Sequence, residues 1–386
     1  MTDEALRPAT RLWPEAATIA LLPLAFAVIG LMLRYAAYVT VGPEAAPNDF
    51  ITELCRWDCG WYVELAERGY DTFPVPSRIT AGNWAFFPLS PMLVAGLRQI
   101  IALPTIVVGS ASSIILSWAS ALLAWPLLKG DRRAYILFSA FLLAGPFSIY
   151  FTTFFTEILF VMLTLAVLLA LQRGNYIAAG LCGGLLSATR LVGVFIVLAI
   201  AVEAFLDHRR SGGTVRNFIP WVLRRPDVIF AVFVAPIGLF AFMAYLYGLM
   251  GDGLAFTHVQ RAWGRVVLSP LFYLSDGLTT PPEQGGLPSV SQQLALAWIA
   301  GMALTAGLFW RRQYPAAVFC LACLVLPIFA GLASMLRFVA AQAPLMMLLM
   351  TMLASRRWLF VVSLGAFLVA DYFFTIAWFE GYLTLV

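Results

Sequence analysis

Apolar runs long enough to cross a bilayer recur from Ala16 to Val386, and they leave few folds open to this chain. A helix needs about 20 predominantly apolar residues to span the hydrocarbon core. The runs are continuous and not alternating, which excludes a membrane β-barrel. Composition agrees, with 62% hydrophobic and 11% charged residues, against about 25% charged in a soluble domain. The expected fold class is therefore an all-α polytopic membrane protein, a single integral membrane domain over 1–386. The first run has an uncharged core, Ala16 to Leu33. That is longer than the apolar region of about 7–15 residues in a secretory signal, so it reads as a retained helix.

Eleven hydrophobic segments are expected, at 14–41, 104–128, 134–150, 151–172, 176–189, 191–206, 227–250, 293–310, 314–333, 338–354 and 358–379. Basic residues orient them. Arg7 and Arg11 place the N-terminus in the cytoplasm. Alternation from there puts Lys129, Arg132, Arg133, Arg173, Arg209, Arg210, Arg216, Arg224, Arg225, Arg311, Arg312, Arg356 and Arg357 in inner turns, so 15 of the 24 Lys and Arg lie inside. This follows the positive-inside rule. Residues 85–101 are short and broken by Pro88 and Pro91, and read as an interfacial or re-entrant helix on the outer side. Segments 176–189 and 191–206 are short as well, roughly 21–24 Å at 1.5 Å per residue. Short adjoining helices of this kind need protein or a cavity around their ends. Arg190 sits at their junction.

Seven of the 20 acidic residues fall between Glu44 and Asp71, directly after the first apolar run. If 50–69 is one helix, Phe50, Ile51, Leu54, Trp61 and Leu65 share a face, and Glu53, Arg56, Glu64 and Glu67 share the opposite one. Asp58 then falls within the apolar face, where a carboxylate must be partnered or must titrate. The alternative is that Asp58 is an exposed N-cap that starts a short helix at Cys59.

Arg34, Glu157, Arg190 and Arg337 lie near or inside spans toward the outer side, where ionisable groups mark a site by default. Structural ion pairs, such as Glu157 with Arg190, are the competing explanation. A second outer loop, 251–292, opens with Leu254-Ala255-Phe256-Thr257-His258-Val259-Gln260-Arg261-Ala262-Trp263, and its segment Thr279 to Gly286 is turn-forming. Gly180 and Gly184 form a small-xxx-small pair suited to helix packing. Cys55 and Cys59 can meet across one helical turn, without the further ligands of a zinc site. Cys320 and Cys323 read as small core residues. There is no phosphate-cradling glycine loop and no internal repeat. The basic residues are scattered at loop ends without a patch, and no nucleic-acid partner is expected. Of the two histidines, His208 falls in a cytoplasmic segment, and no serine–histidine–acid set is assembled.

The unusual polar groups thus lie on the side away from cytoplasmic nucleotides. An enzyme there needs a substrate delivered by the bilayer, and a sugar on a polyprenyl phosphate fits. Transfer to an acceptor hydroxyl needs a general base and cations for the departing phosphate. Asp58 suits the first role, and arginines, with their bidentate fork, suit the second.

The order of motifs adds to this. Arg56-Trp57-Asp58-x-x-Trp61-Tyr62 is followed by Ala66-Glu67-x-Gly69-Tyr70 and Phe86-Phe87-Pro88-Leu89-x-Pro91. Then come Phe155-Thr156-Glu157-x-Leu159-Phe160, Ala188-Thr189-Arg190-x-x-Gly193, Ala255-Phe256-x-x-x-Gln260-x-x-Trp263-Gly264-Arg265 and Leu336-Arg337-Phe338 before Pro344. Over essentially its whole length the chain resembles the PIG-V-type mannosyltransferases, relatives of GPI mannosyltransferase 2 with bacterial members. Two positions depart from the family pattern: Ser90 and Phe338 stand where tyrosine is common. The resemblance implies a GT-C fold with a large first outer loop, a polyprenyl-phosphate sugar donor (usually mannose) and a membrane-associated acceptor such as a glycolipid. It implies Asp58 as catalytic base. The substrate-binding candidates, read from the outer-side charges, the first-loop aromatics and the opening of the second loop, are Arg34, Arg56, Trp57, Trp61, Tyr62, Phe87, Glu157, Arg190, His258, Gln260, Arg261, Trp263 and Arg337. No metal or other cofactor is expected, since arginines can meet a monophosphate leaving group and the sequence shows no dense carboxylate cluster to hold a metal. Compact loops and the lack of an endoplasmic-reticulum retention signal favour a bacterial inner membrane.

A transporter would also bury arginines and acids, as would a non-catalytic scaffold of the same fold. Transporters place such groups near the midplane, often in repeated halves, whereas here they gather on one side. Loops 42–103 and 251–292 are expected on the same, non-cytoplasmic face. Single cysteines introduced at Gly82 and Gly285 should both react with a membrane-impermeant thiol reagent in intact cells, and protection of either breaks this topology.

Overall fold

The computed structural model describes residues 12–72, 81–282 and 288–382; these are helical almost throughout, with no strand among the described residues. Arg7, Arg11, Arg78 and residues 283–286 of the second loop, Gly285 included, lie outside the described residues.

Six helices are long and apolar enough to cross a membrane: Ala16–Ala45, Thr105–Leu127, Leu191–Arg210, Pro226–Met250, Val290–Trp310 and Arg357–Phe379. The other five expected segments form shorter helices, Arg132–Ala144, Glu157–Gln172, Tyr176–Ser187, Tyr314–Ile328 and Ala343–Ala354. Local chemistry explains the shortening. Pro146 disfavours helical backbone at Gly145, so the segment expected over 134–150 ends at Ala144 and resumes as Ser148–Thr152. The segment expected over 151–172 begins only at Glu157, after Thr153 has turned extended. That expected over 338–354 splits into Met335–Ala340 and Ala343–Ala354, with Pro344 in the first turn of the second.

Short helices need protein around them, and they have it. Leu137, Phe138 and Leu142 of Arg132–Ala144, and Ile158, Phe160 and Leu165 of Glu157–Gln172, are buried in the core. The long first and last helices run outside, exposing Met32, Val39, Val361 and Phe373. Gly180 and Gly184 allow close approach of the kinked span at Pro236. A Cβ on Gly180 would lie 2.6 Å from Ala231 Cα, and one on Gly184 3.0 Å from the Val234 carbonyl oxygen.

The first loop contains Phe50–Leu54, Asp58–Arg68, the 3-10 turn Asn83–Ala85 and Leu89–Arg98, the last packed on Asp58–Arg68 and Thr105–Leu127. The single helix supposed over 50–69 is corrected here. Asp49 caps the first piece by accepting from the amides of Ile51 and Thr52. The chain breaks at 55–57, and the second piece starts at Asp58. Cys55 and Cys59 form a disulfide across the break.

Arg34 is tied into the scaffold. Its Nη1 donates to Ser148 Oγ at 2.6 Å and lies 3.5 Å from Asp371 Oδ1, which also accepts from Ser148 Oγ at 2.6 Å. Both charged side chains are 2% exposed, so the triad fastens the first helix to the last. Removing one partner of a buried pair costs about 3–5 kcal/mol, while replacing both with apolar groups is far milder. Arg34→Met should therefore lower the thermal midpoint in detergent, and Arg34→Met with Asp371→Leu should recover most of the loss. An unchanged midpoint for Arg34→Met would remove this role.

Candidate active site

Four helix starts converge at one end of the bundle. Asp58 opens Asp58–Arg68, Glu157 opens Glu157–Gln172, Arg190 precedes the 3-10 turn Leu191–Phe195, and Arg337 lies in the first turn of Met335–Ala340. Carboxylates are favoured in a first turn by its free amides and the helix dipole, which suits Asp58 and Glu157. Arg337 joins the elements. Its Nη1 lies 2.7 Å from Asp58 Oδ2 and its Nε 2.8 Å from Glu157 Oε1. Arg190 Nη1 is 3.2 Å from the same Glu157 oxygen. Neither of these Arg337 nitrogens nor either Glu157 oxygen is aligned for a hydrogen bond. Charge attraction, strong in a poorly solvated interior, holds the cluster. The Arg190 guanidinium also sits 4.7 Å from the Phe338 ring centroid, a cation–π contact.

The cluster opens into a cavity of about 1380 Å³. Small-molecule sites run to about 300–1,000 Å³, so this space exceeds what one sugar needs. Asp58 is the single carboxylate among its lining residues, against Arg190, Arg261, Arg265 and Arg337. Glu157, 1% exposed, lies behind the wall. Even with Glu157 included, four guanidiniums face two carboxylates. Arg261 and Arg265 have no ion-pair partner among the described residues. Burial, followed by the nearby Arg337 charge, lowers the Arg265 pKa from its ordinary value. Burial, with the Glu157 and Asp58 charges adding to it, raises the Tyr62 phenol far above the usual tyrosine range. Tyr62 therefore enters the cavity as a hydroxyl donor.

Aromatic rings close one side. Trp61 stacks on Phe86 at 5.6 Å between centroids and meets Trp263 edge-on at 6.1 Å. Phe87 packs on Phe256 at 5.4 Å. These contacts bind the first loop to the second. Val266, Val267, Leu294, Leu326 and Phe329 add apolar lining to the cavity.

Of the candidate residues, Asp58, Tyr62, Phe87, Arg190, His258, Gln260, Arg261, Trp263 and Arg337 line this one cavity. His258 is at the rim, with Nδ1 2.8 Å from Asp252 Oδ2. Glu157 and Trp61 support the wall from behind, and Trp57 is exposed outside it. Arg56 turns away: it pairs with Glu53 and donates to the carbonyls of Phe379 at 2.6 Å and Ala45 at 2.8 Å. Arg34 is held by Ser148 and Asp371 and is not brought into the site. Arg265, Phe256, Thr189, Ser334 and Gln342 also line the cavity without having been singled out from sequence. Arg265 had a signal, since it closes the Gln260-x-x-Trp263-Gly264-Arg265 motif. No group of three or more potential metal ligands is gathered among the described residues.

No protein-family model matches the chain, and no curated protein matches it. Among solved structures it is similar to the Archaeoglobus fulgidus oligosaccharyltransferase, solved in complex with zinc and sulfate. That match has a TM-score of 0.50 and 14% identity, over 93% of this chain and 53% of that one. A second structure of the same protein, tethered through a disulfide to an acceptor peptide with the NVT sequon, gives a TM-score of 0.49 and 14% identity, over 93% of this chain and 55% of that one. The chain thus spans about half the length of the structures it resembles. At this identity the likeness establishes the fold alone: the chain shares the helical membrane architecture of that oligosaccharyltransferase.

Proposed function

We propose that the protein is a glycosyltransferase that moves a mannosyl (hexosyl) unit from a polyprenyl-phosphate sugar to a hydroxyl of a membrane-associated acceptor. The observation that carries this reading is the cavity itself, large, walled by aromatics, and lined by one carboxylate and four arginines. A surplus of guanidinium charge calls for an anionic ligand, and the apolar lining suits a lipid chain. The likeness to the PIG-V-type motifs supports mannose as the sugar.

The chemistry follows from the geometry. Asp58 Oδ2 faces Arg337, leaving Oδ1 for the acceptor hydroxyl. As that oxygen attacks the anomeric carbon, Asp58 takes its proton, the bond to the donor phosphate breaks, and the lipid phosphate leaves with one more negative charge. Arg265 and Arg261 meet this added charge, with Arg190 and Arg337 at the inner end. A single carboxylate suffices because the phosphate leaves without a covalent enzyme intermediate, so a β-linked donor yields an α-linked product. The arginines supply the countercharge in this scheme, which calls on no metal.

The first-loop disulfide supports an oxidising, non-cytoplasmic location for the site, consistent with the outer face of a bacterial inner membrane. Both loops line one cavity, so they share that face.

Purified protein given radiolabelled polyprenyl-phosphate mannose and a membrane lipid extract should form a labelled glycolipid; vesicle uptake of solute without any transfer would favour the transporter reading. General-base catalysis contributes on the order of 10²–10⁴ in rate, so Asp58→Asn should lose that much turnover and keep donor binding. Arg265→Gln should raise the donor KM by about 10–100-fold, the worth of a charge-assisted hydrogen bond. Glu157→Gln should chiefly lower the thermal midpoint. Normal turnover by Asp58→Asn beside an inactive, folded Glu157→Gln would transfer the base role to Glu157.

A further inference from the structure

The turn that delivers Asp58 is unfavourable for its own sequence. Trp57 adopts φ +57 without a side-chain cap, a left-handed conformation that is an outlier for a bulky residue. Two restraints hold it. The Cys55–Cys59 disulfide spans the turn, with the Cα atoms 5.1 Å apart. Within that bridge, Arg56 fastens the turn to the carbonyls of Phe379, at the end of the last helix, and Ala45, at the end of the first. Cys59 is fully buried and Cys55 half-buried. Neither lines the cavity, and Asp58, between them, does.

We propose that the Cys55–Cys59 disulfide is a positioning element for the transfer reaction: it locks the left-handed turn at Trp57 and so holds Asp58 against Arg337 at the cavity wall. This rests on the reading of Asp58 as general base. Arg190, Arg265 and Arg337 lie outside the first loop, and Glu157 still holds Arg337 at 2.8 Å and Arg190 at 3.2 Å, so opening the disulfide displaces the base and leaves these arginines in place. The signature is therefore a fall in kcat with little change in donor KM. A misplacement near 1 Å at a reacting group costs on the order of 10²-fold.

The test uses the full-length protein in detergent with and without dithiothreitol, which opens the bridge to two thiols while it becomes a cyclic disulfide; intact mass after thiol labelling confirms the opening. Amide hydrogen exchange over 56–62 should rise while the rest of the protein is unchanged, and kcat should fall by about 10–100-fold with donor KM within about twofold. Reoxidation should restore turnover, and Cys55→Ser with Cys59→Ser should behave as the reduced protein and ignore dithiothreitol. Unchanged exchange over 56–62, unchanged kcat, or loss of protection throughout the molecule would each overturn the proposal. Should the oxidised protein transfer no sugar at all, the functional reading fails separately, and exchange over 56–62 alone still decides whether the disulfide holds the turn.

Discussion

One guanidinium, Arg337, sits between two carboxylates that the chain keeps far apart in sequence, at 2.7 Å from Asp58 and 2.8 Å from Glu157. Any of these charges alone in such apolar surroundings would be costly. Together they make the first loop, the short helix from Glu157, the junction at Arg190 and the short helix at Met335–Ala340 mutually dependent. The second buried network behaves differently. Arg34, Ser148 and Asp371 match one cation to one anion and join two outer helices. The Arg337 cluster faces a cavity and carries cations beyond its carboxylates. Balance suits the Arg34 network to a scaffold role, and the surplus of cations is what supports the Arg337 cluster as the anion site of the proposed function.

Much of this was legible in the sequence, because it depends on composition along the chain. The apolar runs gave the helical membrane fold, and the charged island after the first run gave the loop that carries Asp58. The junction of segments 176–189 and 191–206 singled out Arg190, although the second, expected to be short, runs to Arg210 and is long enough to cross a membrane. The pairing of Glu157 with Arg190, raised as a purely structural alternative, is present at 3.2 Å, yet within the wall of the cavity and not apart from it.

Other features were hidden for physical reasons. Arg34 and Arg190 look alike as single arginines at apolar segments; what separates them is the partner each finds in space, and Asp371 is 337 positions from Arg34. Periodicity runs smoothly across residues 50–69, since a repeat of apolar residues says nothing of the left-handed φ at Trp57. Arg56 shares a motif with Asp58 but serves the carbonyl groups of two distant helix ends. Arg261 and Arg265 sit in a loop without hydrophobic periodicity, where only the folded chain shows which cations meet the cavity.

The shortness of the central helices ties the fold to the chemistry. A full-length span carries its ends to the bilayer surface, where water screens charges. Glu157–Gln172, at 16 residues, covers about 24 Å of a core near 30 Å thick, and Glu157 at its start is buried in the protein. Arg337 lies in the first turn of the six-residue helix Met335–Ala340. The amides and charges at these starts consequently act at reduced dielectric, where each is stronger than at the surface. The rings of Trp61, Phe86 and Trp263 pack together beside the cavity. A phosphate on a lipid reaches such a site from the bilayer with its chain still in apolar surroundings, whereas a soluble anion would have to shed its water without that compensation. The burial that makes these charges costly is, on the proposed function, what would favour a membrane-borne donor over a soluble one.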